Sequence, residues 1–252
     1  MGSPLSILDY RQPVEFRMGE VLVRTWNILS RHFLTFILLV GIAEILPLVV
    51  TLYIQRDDEV IPVGWQAYAA VFGSRLLGGV LSIFAQAIVI YAAFQDLRGR
   101  QPNAAESARV GLSRIFPVII ASLMTALVIG VGLLLCLIPG LIALTAMAVV
   151  IPACVVEHLG PIDSMSRSAD LTAGHRWPIL GVGVAYVVIT LVVMGCLAVI
   201  SSGKTTIATQ LGEWIWGVLA GSFTSVYAAI LYHDLRAVRE GIGIDEIASV
   251  FD

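Results

Sequence analysis

Residues 117–156 read PVIIASLMTALVIGVGLLLCLIPGLIALTAMAVVIPACVV, forty consecutive positions without a charged side chain. A helix rises about 1.5 Å per residue and bilayer hydrocarbon is about 30 Å thick, so about 20 apolar residues make one crossing. This stretch therefore holds two crossings, Pro117–Ile138 and Gly140–Val156, with Ile138, Pro139 and Gly140 as the tight turn between them. Working outwards, Phe33–Ile54, Ala67–Phe94, Pro178–Ile200 and Leu211–Tyr232 are apolar runs of the same kind. They lack the polar alternation of a barrel strand, and a bilayer offers no water to unpaired backbone groups, so they read as helices. The expected fold is an all-α polytopic membrane protein with six transmembrane helices, a single membrane domain over residues 1–252 in which 240–252 form a short tail.

Composition agrees. Of 252 residues, 58% are hydrophobic and 13% charged, and the mean hydropathy of +0.91 lies outside the range of soluble enzymes. A net charge of -3 with 8% aromatics gives no basic face for nucleic acid. Of fifteen Lys and Arg, Arg11, Arg17, Arg24 and Arg31 precede the first span; Arg98, Arg100, Arg109 and Arg114 separate the second from the third; Arg167 and Arg176 separate the fourth from the fifth; and Arg236 and Arg239 follow the sixth. The opposite loops hold only Arg56 and Lys204. This asymmetry places both termini in the cytoplasm and the protein in a cytoplasmic (inner) membrane. No short apolar segment with a cleavage pattern precedes Phe33, so the first span is expected to remain in the mature protein. Cys136, Cys154 and Cys196 fall within spans and are expected as small free thiols.

The odd spans begin alike. Leu29-Ser30-Arg31-His32-Phe33 matches Leu112-Ser113-Arg114-Ile115-Phe116, and more loosely Ala173-Gly174-His175-Arg176-Trp177. Each is preceded by a helix-compatible polar stretch. In the first, Met18, Val21, Leu22, Thr25 and Leu29 share helical spacing while Glu20 and Arg24 pair at i,i+4, as in a helix lying on a membrane surface. Span ends repeat too, with Tyr91-Ala92-Ala93-Phe94 then Asp96-Leu97-Arg98 beside Tyr227-Ala228-Ala229-Ile230 then Asp234-Leu235-Arg236. The pattern reads as three pseudo-repeats, about 14–98, 103–160 and 161–239, each an amphipathic interfacial helix followed by a helical hairpin.

In the third unit, Pro161-Ile162-Asp163, Arg167-Ser168 and Leu171-Thr172-Ala173-Gly174-His175-Arg176-Trp177 resemble a family signature. It is that of the membrane domain of glycerophosphoryl diester phosphodiesterase and related bacterial six-helix membrane proteins of unknown function. The Pro139-Gly140 turn and the segment from Ala228 to Arg239 are similar to the same pattern. The resemblance implies a membrane module without its own hydrolase, since catalysis in the named enzyme belongs to a separate soluble barrel.

Several constellations need weighing. Gly203, Lys204 and Thr205 satisfy a loose phosphate-loop pattern, but they end an apolar span rather than join a strand to a helix, so no nucleotide partner is expected. His32, His158, His175 and His233 sit at span ends, with Glu157 and Asp234 beside two of them; no pair has ligand spacing, and neither a metal nor another cofactor is expected. Glu44 and Arg75 are charges within spans and therefore expensive. They read either as a structural ion pair in the first hairpin or as the polar lining of a passage, which Gln86 would extend inward. Gly217, Gly221 and Ser225, and Ala69 with Gly73, allow close helix approach, within one chain or in a homo-oligomer. Trp214 and Trp216 read as interface anchors.

At the third signature, Asp163 is expected to cap a helix and Gly174 to end it in a left-handed conformation. Arg167 and Arg176 would pair with Asp170 or with lipid phosphate, Trp177 would lie at headgroup level, and Ser168 and Thr172 complete this clasp or headgroup contact. No paired carboxylates or nucleophile with a base mark an active site. The expected function is a non-enzymatic transport or lipid-handling module with membrane lipids as partners; the alternative is a scaffold that self-associates or gathers partners through its cytoplasmic helices.

Overall fold

The computed structural model describes residues 16–55, 65–100, 103–201 and 206–240. All regular structure among them is helical: α1 (Met18–Arg31), α2 (Phe33–Gln55), α3 (Trp65–Leu97), α4 (Ala104–Ser113), α5 (Ile115–Leu135), α6 (Leu137–Ala146), α7 (Val150–Val156), α8 (Pro161–Thr172), α9 (Arg176–Ile200) and α10 (Ile207–Glu240). Among the described residues six stretches are long and apolar enough to cross a membrane: Phe33–Tyr53, Phe72–Leu97, Ile115–Leu135, Leu137–Val156, Arg176–Ile200 and Ile207–Glu240. The chain is a multi-pass membrane protein. Gly203, Lys204 and Thr205, the loop residues Arg56 and Asp58, the side chain of Arg75, and the tail beyond Glu240 lie outside the described residues.

The short helices have local causes. Asn103 opens α4 in an extended conformation, its side chain accepting from the amides of Ala105 and Glu106. Gln95 Oε1 on α3 in turn accepts from the Asn103 amide at 2.9 Å and fixes where α4 begins. One face of α1 is buried through Val21, Thr25, Ile28 and Leu29. The matching Leu-Ser-Arg motifs occupy matching positions: Ser30 donates to the carbonyl of Asn27 and Ser113 to that of Val110, each one turn before a span.

Two expectations about the central stretch need correction. The turn between the third and fourth spans is at Cys136, which is extended (φ -167, ψ 149), and not at residues 138–140. Pro139 sits in the first turn of α6, where its missing N–H leaves no bond unmade. Gly140 serves for closeness rather than for turning. A Cβ built on it would stand 2.7 Å from Leu133 Cα, and one built on Gly132 would stand 3.0 Å from Gly140 Cα. Gly140→Val forces these backbones apart, so thermal unfolding in detergent should show a loss of about 2 kcal/mol; an unchanged midpoint would refute this contact.

The second correction is that the fourth span is broken. Residues 147–149 form a turn between α6 and α7. Pro152, three residues into α7, cannot donate to the carbonyl of Ala148 and its ring crowds that carbonyl, which favours the break just before it.

Buried packing concentrates at one end of the bundle. Val21, Phe36, Val40, Val89, Val149, Leu171, Val226 and Tyr232 share one core with their neighbours. This is also the end where Arg24 reaches Asp234 and where Arg31 and His32 reach Asp96; we call it the basic end. The helix α9 packs on α6 and α10 and buries only Ile179. In the first hairpin, α2 packs on α3 so closely at Pro47 that a Cβ on Gly78 would overlap the proline ring at 2.2 Å. Glu44 and Arg75 lie on opposite sides of that contact, about 9 Å apart along the helices at 1.5 Å per residue.

Candidate functional site

Ser168 joins the two halves of the broken span. It is fully buried on α8, donates to the carbonyl of Ala146 at 2.7 Å and accepts from the amide of Val149 at 3.2 Å. One hydroxyl thus satisfies the last carbonyl of α6 and the amide just before α7, groups that a break inside a membrane would otherwise leave unpaired. Thr172, one turn on, is fully buried and donates to the carbonyl of Ser168. Both hydroxyls are spent inside the protein, so neither contacts a headgroup.

Beside the break lies a cavity of about 440 Å³. Gln86 on α3, Ser122 and Thr125 on α5, Met147 and Ala148 in the turn, and Thr224 and Ser225 on α10 contribute to its wall, which is otherwise mainly aliphatic. Among the described residues no Asp, Glu, Lys, Arg or His lines it. Thr224 and Ser225 donate to carbonyls of their own helix, those of Ala220 and Gly221. Ser122 Oγ and Thr125 Oγ1 are buried and have no partner among the described residues.

A charged cluster closes the basic end next to α7. Glu157 caps α7 and receives a fork from Arg167 of α8, with Nε at 3.0 and 3.1 Å and Nη2 at 2.9 Å. Tyr232 of α10 donates to the same carboxylate at 2.5 Å, Arg236 stands 3.9 Å away, and Glu240 pairs with both Arg167 and Arg236. Burial alone would push the Glu157 carboxyl up. The Arg167 fork, the Tyr232 hydroxyl and the charges of Arg167 and Arg236 outweigh it and hold the group below its ordinary range. Tyr232, Arg236 and Glu240 recur every four residues and so share one helix face.

Other polar pairs ring this end. Arg24 binds Asp234 at 3.0 Å, His32 binds Asp96 at 3.1 Å and Arg114 donates to His158 Nδ1 at 2.9 Å. His158 takes a positive φ of 57°, which reverses the chain between α7 and α8. Among the described residues no group of three His, Cys, Asp or Glu is placed to hold a metal.

The third signature is arranged differently from its expectation. Arg167 pairs with Glu157 and Glu240, while Asp170 stands exposed. Asp163 does not cap α8. Pro161 opens that helix, so Gly160 occupies the cap position without a side-chain bond and Asp163 falls inside the first turn. There its charge still favours the helix start. Gly174 has φ 89°, the left-handed backbone expected of it. Arg176 Nε is buried without a partner among the described residues, and Trp177 is 83% exposed at the start of α9. Gln86 lies on the cavity wall and Glu44 is half-buried on α2, apart from it. Cys154 is buried, whereas Cys136 and Cys196 are exposed; all three are free.

Sequence reasoning passed over Ser122 and Thr125, whose i,i+3 spacing in an apolar span is the signal that they share a face. It also passed over the cluster of Glu157, Tyr232, Arg236 and Glu240. A family model described as Domain of unknown function (DUF7847) matches residues 66–235. No curated protein and no solved structure matches the chain.

Proposed function

The chain belongs to the DUF7847 family of unknown function, and from that premise we propose that it takes a membrane-soluble ligand into the cavity beside its broken fourth span, as a transport or lipid-handling module. The observation that carries this reading is the coincidence of cavity and break. Discontinuous helices near the membrane midplane are how many transporters form binding sites, because irregular backbone is tolerated only where protein or a cavity surrounds it. The volume falls within the range of roughly 300–1,000 Å³ typical of ligand pockets.

Membrane lipids are the partners on this reading; nucleotides and nucleic acids are not. We place both termini in the cytoplasm and the protein in an inner membrane, from the arginine asymmetry. Three units, each an interfacial helix and a hairpin, give the architecture, akin to the phosphodiesterase membrane-domain group. With Cys136 and Cys196 replaced by alanine, single cysteines near Asp58 and near Lys204 should react with an impermeant maleimide added outside intact cells. Reaction only after lysis would reverse the orientation.

Filling the cavity tests the function. Ala126 belongs to its wall, so Ala126→Trp places an indole in the ligand volume. Mass spectrometry of organic extracts should find near-stoichiometric lipid on the wild-type protein and less than about a fifth of it on the variant, at an unchanged melting temperature. Equal lipid on both would rule out the cavity as its seat. A scaffold is the second reading, favoured by α9, a long apolar helix that buries only Ile179; a detergent-resistant dimer carrying no lipid would support it.

A further inference from the structure

We infer that the cavity takes an uncharged amphiphile, a hydrocarbon chain bearing an alcohol or ester, and rejects ions and anionic headgroups. This rests on reading the cavity as a ligand site.

Among the described residues the wall carries no charge. An anionic group brought among these walls would lose its water and meet no cation, a heavy penalty in a low-dielectric interior. The nearest charged network does not supply one, since Arg167 and Arg236 are held by Glu157 and Glu240.

Two hydroxyls on the wall have no partner among the described residues. Elsewhere in these helices Thr25, Thr51, Thr190 and Thr224 bond back to the carbonyl four residues earlier. Ser122 and Thr125 do not, although both oxygens are buried. Buried polar atoms without partners are uncommon. One turn apart on α5, both on the cavity wall, they mark a place where a ligand oxygen would accept from one and receive a second contact from the other. Gln86, on α3, adds two amide donors and an acceptor to the same wall.

The rest of the wall is mainly aliphatic. Ile83, Ile90, Ile129, Val150 and Ile151 offer hydrocarbon contact, a poor environment for a water cluster, which needs several polar partners per molecule. A bare alkane would leave Ser122 and Thr125 unpaired. An alcohol or ester at the head of an acyl chain satisfies both halves of the wall.

The test uses the full chain in phosphatidylcholine nanodiscs. Two photoactivatable probes carry the same diazirine acyl chain, one a diacylglycerol and the other a phosphatidic acid. Labels mapped to the wall residues Ser122, Thr125 and Ala126 of α5 and Thr224 and Ser225 of α10 report the cavity, and those on α9 report bulk lipid. The expected result is at least tenfold stronger cavity labelling by the diacylglycerol than by the phosphatidic acid, competed by unlabelled diacylglycerol. In the double variant Ser122→Ala, Thr125→Val, which keeps the volume nearly constant, diacylglycerol labelling of the cavity should fall roughly tenfold with α9 labelling unchanged. Equal cavity labelling by both probes, or undiminished labelling in the double variant, would overturn the inference and leave the ligand site standing. Cavity labelling no higher than that of α9 with either probe would remove both.

Discussion

Arg167→Ala should destabilise the detergent-solubilised protein by about 3 kcal/mol, because removing one partner of a buried pair strands the other. The side chains of Arg167 and Glu157 are only 25% and 16% exposed, which separates this pair from surface bridges worth under about 1 kcal/mol. The loss corresponds to a drop of roughly 10 °C in melting temperature for a chain of this size. Its pH dependence follows from the sign of the shift. Glu157 is held below its ordinary value of 4.5, so its contribution is fully present above that pH and is lost as pH falls through the depressed value. In the variant burial acts against fewer opposing charges, and the acid limb of the stability curve should move to higher pH. A variant with wild-type stability and an unmoved acid limb would show that the fork does not hold α7 to α8.

Ser168→Val should be comparably severe. The substitution puts a methyl in place of the hydroxyl, adds a second methyl at this fully buried position, and leaves the carbonyl of Ala146 and the amide of Val149 without their partner. Each buried backbone group left unsatisfied costs about 1–3 kcal/mol, and no water is at hand to replace the hydroxyl. A combined loss of about 3 kcal/mol is expected in thermal unfolding. Ser168→Thr, which carries the same added methyl as valine but retains a hydroxyl, should recover most of it. Equal stability of valine and serine variants would mean that the break does not depend on this bridge.

The six spans were legible because hydropathy and length are enough to identify a crossing helix. The turn was misplaced by a few residues because Pro139-Gly140 is strong turn chemistry in water-soluble loops. Here the proline fits a first helical turn and the glycine serves a close crossing against Leu133. The broken span was harder to see, since Met147, Ala148 and Val149 are as apolar as their surroundings. Pro152 was the available signal, and it acts through the carbonyl four residues before it. Arg167 was visible as a signature residue, but its partner was not. Asp170 is near in sequence, whereas Glu157 is brought opposite by the reversal at His158. Ser122 and Thr125 look ordinary in a sequence, because only the structure shows that their oxygens have turned from their own helix. The pairing of Glu44 with Arg75 rests on their charge and similar depth in the hairpin; the contact of Pro47 with Gly78 puts their helix positions on opposite sides of it, and the side chain of Arg75 lies outside the described residues.

A density map of the wild-type protein in lipid nanodiscs at about 3 Å is the most direct measurement of the central claim, that a broken fourth span borders a ligand-filled cavity. The expected map shows α6 and α7 separated at residues 147–149, with Ser168 bridging them and elongated density between α3, α5, α7 and α10 reaching Ser122 and Thr125. A continuous helix from Leu137 to Val156, with α5 closed against α10 and their side chains filling the space, would contradict it.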